Sequence, residues 1–123
     1  MADAVDFQPV FERLKNILEA YQARLVLKAD QADNYYLETP YVEKYKREIM
    51  FGAVQVKKNY VSYHLFPVYV FPELLEGMSP ALKKRMQGKS CFNFTSLDET
   101  LLDELEHLTE AGFERFKRER LNP

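Results

Sequence analysis

The stretch from Glu48 to Val70 constrains this chain more than any other. Two runs of strand-forming residues, Glu48 to Lys57 and Tyr60 to Val70, are separated only by Lys58-Asn59. A two-residue connection makes the tightest hairpin, and asparagine is among the few residues that enter the left-handed region it needs. The turn sets a register: Lys57 opposite Tyr60, Val56 opposite Val61, Gln55 opposite Ser62, Val54 opposite Tyr63 and Ala53 opposite His64. Side chains alternate along a strand. Val54, Val56, Val61, Tyr63 and Leu65 therefore share an apolar face, and Gln55, Lys57, Tyr60, Ser62 and His64 share a polar one. A slip of one residue would bury the polar set. Pro67 offers no amide hydrogen to a ladder, so an edge, bulge or irregularity is expected there.

Around this hairpin the hydrophobic period changes to that of helices. Phe7, Val10, Phe11, Leu14, Ile17, Leu18 and Tyr21 recur at three- and four-residue spacing, which predicts a helix over 7–22 behind Asp6 as its cap. Arg24 to Lys28 and Tyr35 to Thr39 read as two short strands, and Ser90 to Thr95 as a fifth, with Phe92 and Phe94 on one side. Ser79-Pro80 opens a short helix expected to run from Ala81 to Gln87 and stop at Gly88. Ser96 and Glu99 form a capping-box pattern ahead of the stripe Leu101, Leu102, Leu105, Leu108, Gly112, Phe113 and Phe116, which predicts a helix to about residue 119. Long helices at both ends of an antiparallel sheet predict a two-layer α+β sandwich of about five strands, both helices on one face. The predicted core is Phe7, Phe11, Leu14, Leu18, Val54, Val56, Val61, Tyr63, Leu65, Phe92, Phe94, Leu101, Leu105, Leu108 and Phe116.

At 123 residues the chain is expected to form one domain, 1–123, and 46% hydrophobic content is too high for disorder. A net charge of −2 argues against a protein made to bind nucleic acid or an anionic membrane. The single cysteine, Cys91, rules out an internal disulfide. With a start that lacks the pattern of a secretory leader, this predicts a cytoplasmic protein.

The hairpin from Val54 to Tyr69, with His64 ahead of Phe66-Pro67, resembles that of the YdhG-like proteins. So does the run Leu82-Lys83-Lys84-Arg85-Met86-Gln87-Gly88-Lys89-Ser90-Cys91-Phe92-Asn93-Phe94 followed by an acidic helix. This widespread bacterial family has largely uncharacterised function. The resemblance covers about 35–117 and implies a frataxin-like fold. Members often carry a glycine- or methionine-proline turn ahead of the hairpin, where this chain has Thr39-Pro40. An iron-chaperone role has been proposed for the family, but no metal motif carries it over residue by residue.

Three sets of residues could carry function. On the polar hairpin face, Tyr60, Ser62 and His64 would be joined by Cys91 and Asn93 if the fifth strand lies alongside, giving imidazole, phenol, amide and thiol for a small ligand or protein partner. Phe51 and Phe66 are predicted on that same side, where they would meet a partner, a covering segment or a twofold mate in a homodimer. Asp103, Glu106 and Glu110 on the last helix are the iron ligands under the family analogy, although acids early and bases late in a helix are also what its dipole favours. A basic run, Lys83, Lys84, Arg85 and Lys89, is expected to be a solvated face. With no nucleophile elbow, phosphate-cradling loop or HExxH helix, the expectation is a non-enzymatic binding module without a cofactor.

Overall fold

A computed structural model describes residues 6–121. The elements are α1 (Gln8–Glu19), β1 (Val26–Gln31), β2 (Asn34–Glu38), β3 (Met50–Val56), β4 (Val61–Leu65), α2 (Phe66–Val70), α3 (Pro80–Lys83), β5 (Met86–Gln87), β6 (Cys91–Phe94) and α4 (Glu99–Arg118). The strands form one six-stranded antiparallel sheet in the order β1-β2-β3-β4-β6-β5. The fold class is α+β, with one strand more than expected.

The central hairpin takes the register set by its turn. Val56 opposes Val61, Val54 opposes Tyr63 and Ala53 opposes His64, and the Lys57 amide donates to the Tyr60 carbonyl at 2.8 Å. The apolar face so defined meets α1 and α4. Phe11, Leu14 and Leu18 of α1 and Leu105 and Phe116 of α4 are fully buried with Val54, Val61, Tyr63, Leu65 and Phe92. Burying each such side chain contributes about 1.5–3 kcal/mol, which makes this layer the main source of stability. Phe7 and Val56 only pack against its edge, half-buried.

Four expectations are corrected by tertiary context. The second hairpin strand stops at Leu65, and Phe66–Val70 coils into α2. Pro67 sits in its first turn, where the missing amide hydrogen costs nothing. The predicted helix 81–87 ends at Lys83, and Met86–Gln87 pairs with β6 instead. Gly88, at φ +76°, serves the turn of that hairpin rather than a helix stop. α4 is capped by Asp98, whose carboxylate accepts from the Leu101 amide, not by Ser96.

The fourth correction concerns Phe51, predicted on the polar face. Leu37 opposes Gly52 while Glu38 opposes Met50, which leaves Phe51 as the extra residue of a β-bulge. A bulge breaks the alternation, so two successive residues turn to the same side. Phe51 is fully buried, with the rings of Tyr21, Phe113 and Phe116 at 6.0, 5.8 and 5.9 Å. Gly52 follows it onto the helical side. A Cβ there would stand 2.8 Å from Leu18 Cδ2, so α1 packs directly on bare backbone.

Candidate functional site on the open sheet face

With both long helices on one side, the other face of the sheet carries the polar residues of the hairpin. Register places them in rows. Tyr36, Ala53, His64, Cys91 and Gln87 lie side by side across five strands, and Asn34, Gln55, Ser62 and Asn93 form the next row. The predicted cluster Ser62, His64, Cys91 and Asn93 is thus brought together, with Tyr60 at the hairpin end of the same face.

The cluster is knit to itself. Cys91 Sγ lies 3.7 Å from His64 Nε2 and 3.5 Å from Asn93 Oδ1, and the Asn93 amide donates to Gln87 Oε1. Ser62 is buried and its hydroxyl donates to the Gln55 carbonyl at 3.4 Å, while Gln55 Nε2 donates to Asn34 Oδ1 at 3.2 Å. Burial holds the His64 imidazole below its ordinary value of 6.5, and nearby Lys57 lowers it further. Burial pushes the Cys91 thiol up, with Lys57 opposing. Imidazole and thiol are therefore both neutral near pH 7. The pair is thus not a preformed thiolate–imidazolium.

Beside this cluster the face opens into a groove of about 650 Å³. Its base comes from Tyr36 and Glu38 of β2 and Met50 of β3. One wall is the β2–β3 connection, which supplies Tyr45, Arg47 and Ile49. That connection is shaped by its own bonds: the Thr39 amide donates to Ile49 O at 2.8 Å, the Ile49 amide to Thr39 Oγ1 at 3.2 Å, and Val42 bridges Arg47. The other wall is α2, where Phe66 stacks on Tyr69 with centroids 5.4 Å apart and planes 25° apart. Tyr45 and Tyr69 are exposed. Burial raises the Tyr36 phenol, Glu38 adds to the rise and Arg47 opposes it, so acid and guanidinium act on the same hydroxyl.

Of the two aromatics predicted on this face, Phe66 does line the groove and Phe51 does not. The other lining residues escaped sequence reasoning because they come from three separated segments. The available signal was Pro67, which favours a helical first turn over a strand, together with eight tyrosines in a chain without tryptophan.

The acidic set lies on the opposite layer. Asp103 and Glu106 converge on Arg13 of α1, whose guanidinium lies 3.7 and 3.3 Å from them and 3.0 Å from Glu99. Glu110 does not join them. Among the described residues no group of three or more histidines, cysteines or acids is placed to hold a metal ion. Lys83, Lys84 and Lys89 are exposed, and no helix among the described residues is long and apolar enough to cross a membrane. Comparison with protein-family models, with curated proteins and with solved structures finds no significant match to this chain.

Proposed function

We propose that this chain is a non-enzymatic binding module that holds its ligand on the open sheet face, at the groove between the β2–β3 connection and α2. The observation that carries this reading is the groove itself: exposed aromatic side chains gathered on the sheet face opposite α1 and α4. The His64–Cys91 pair beside it adds polar groups that a ligand can meet on the same face. An antiparallel sheet with two long helices supports the two-layer, frataxin-like arrangement of this reading, and membership of the YdhG-like family and action in the cytoplasm are parts of the same proposal.

The test is a ligand screen on the full chain followed by amide NMR shifts, with wild type compared against Tyr69→Ala and Phe66→Ser. Shifts clustered on β2, β3 and α2, and lost in those variants, are expected. Shifts clustered on α1 and α4 would remove this reading. A homodimer formed through the same face is the competing use of Phe66, and light scattering separates the two. The alternative, an iron chaperone using Asp103, Glu106 and Glu110, has less support because Arg13 already occupies two of those carboxylates.

A further inference from the structure

On the reading of the open face as a binding surface, we propose that the groove takes a planar heterocycle with an acceptor edge beside a donor edge, of the guanine type. The base would rest among Tyr36, Phe66 and Tyr69, with its edges met by Arg47 and Glu38.

The argument starts from what the groove leaves unspent. Most of its lining is apolar or aromatic, which favours a flat ring that stacks. Only two charged side chains belong to it. Arg47 uses Nε on the Glu48 carbonyl at 3.1 Å, and its two terminal nitrogens meet no carboxylate among the described residues. Among the described residues Glu38 meets only the Lys28 ammonium, at 3.9 Å and beyond hydrogen-bond reach, while Lys28 lies closer to Glu48 at 3.3 Å. One forked donor and one carboxylate acceptor therefore stand ready at the same groove.

Charge narrows the class further. Lys28 and Arg47 offset Glu38 and Glu48, so the site as a whole favours neither a bare anion nor a bare cation. A neutral ring that accepts from the guanidinium and donates to the carboxylate uses both without adding charge. The guanine edge does this with O6 and N7 toward arginine. Its N1–H and N2–H groups point toward a carboxylate acceptor. Adenine offers no N1–H, so it would leave Glu38 with part of its capacity unmet, and unmet polar groups are the strongest source of discrimination. A volume of about 650 Å³ exceeds one base and leaves room for an attached sugar.

Amide NMR titration of the full chain tests this with guanosine, adenosine, benzoate and tetramethylammonium as probes. Guanosine is expected to give saturable shifts at Tyr36, Met50, Phe66 and Tyr69, and to bind at least about fivefold tighter than adenosine. Glu38→Gln and Arg47→Met should each weaken guanosine about tenfold and narrow its advantage, while Tyr69→Ala weakens both nucleosides alike. Lys84→Ala, at the exposed position just after α3, should change nothing. Unperturbed spectra elsewhere show that each variant is folded. Absence of saturable guanosine shifts at millimolar concentration overturns the assignment, as does equal binding of adenosine or indifference to Glu38→Gln. If benzoate or tetramethylammonium alone shifts the groove residues, the heterocycle is wrong and open-face binding stands. If all shifts fall on α1 and α4, both fall.

Discussion

The hydroxyl pair inside the core gives the sharpest stability test. Tyr63 Oη lies 2.6 Å from Thr109 Oγ1, and both residues are fully buried. Thr109 Oγ1 in turn donates to the Leu105 carbonyl at 2.8 Å. A carbonyl can only accept, so the threonine hydrogen is committed there and Tyr63 must be the donor to Thr109. Removing the acceptor therefore costs more than removing the donor. Thr109→Val keeps the shape but strands a buried phenol donor, an expected loss of about 1–3 kcal/mol. Tyr63→Phe leaves the threonine hydrogen satisfied and should cost about 0.5–1.5 kcal/mol. The double variant strands no donor, so its loss should fall short of the sum of the singles by about 1 kcal/mol. Urea unfolding of the four proteins reads this out, and each kcal/mol should move the thermal midpoint by about 3–5 °C. A Thr109→Val loss no larger than that of Tyr63→Phe would refute the assigned donor direction, and additive losses would refute the coupling itself.

Other outcomes can be checked with the same unfolding assay. Gly112→Ala should gain about 1 kcal/mol from helix propensity, yet its Cβ would stand 2.8 Å from Cβ of the rigid Pro67 ring. Overpacking of that kind costs about 1–3 kcal/mol, so a lower urea midpoint is expected, and a higher one would mean that α2 does not press on α4 there. Because burial holds His64 below 6.5, the unfolded state takes up its proton first, and stability is lost as pH falls through that value. His64→Gln should flatten the fall in urea midpoint between about pH 7.5 and 5.5, and an unchanged slope would exclude His64 as its source. Arg13→Ala leaves Glu99, Asp103 and Glu106 without their shared cation, for a loss of about 0.5–1 kcal/mol that shrinks in high salt. If the iron alternative holds, ferrous-ion titration calorimetry should show tighter binding in Arg13→Ala than in wild type.

What the sequence by itself determined was whatever depends on neighbours along the chain. The Lys58-Asn59 turn and the alternation on either side of it set the β3–β4 register, because a two-residue connection allows one pairing and that register keeps the valines dry. The helical stripes of α1 and α4 were legible for the same local reason, and placing Phe92 and Phe94 in the core brought Cys91 beside His64. Tertiary structure decided what depends on distant partners. Phe51 faces the helices because β2 pairs with Gly52 and Met50 and skips the residue between them, a choice written in the opposite strand. Phe66–Val70 has the composition of a strand, yet it coils because Pro67 finds its seat against Gly112, more than forty residues away. The groove is made by both events together: the bulge leaves Met50 on the open face, and the turn of α2 stands Phe66 and Tyr69 beside it. No local period carries that information, since the residues concerned meet only after the sheet and helices have packed.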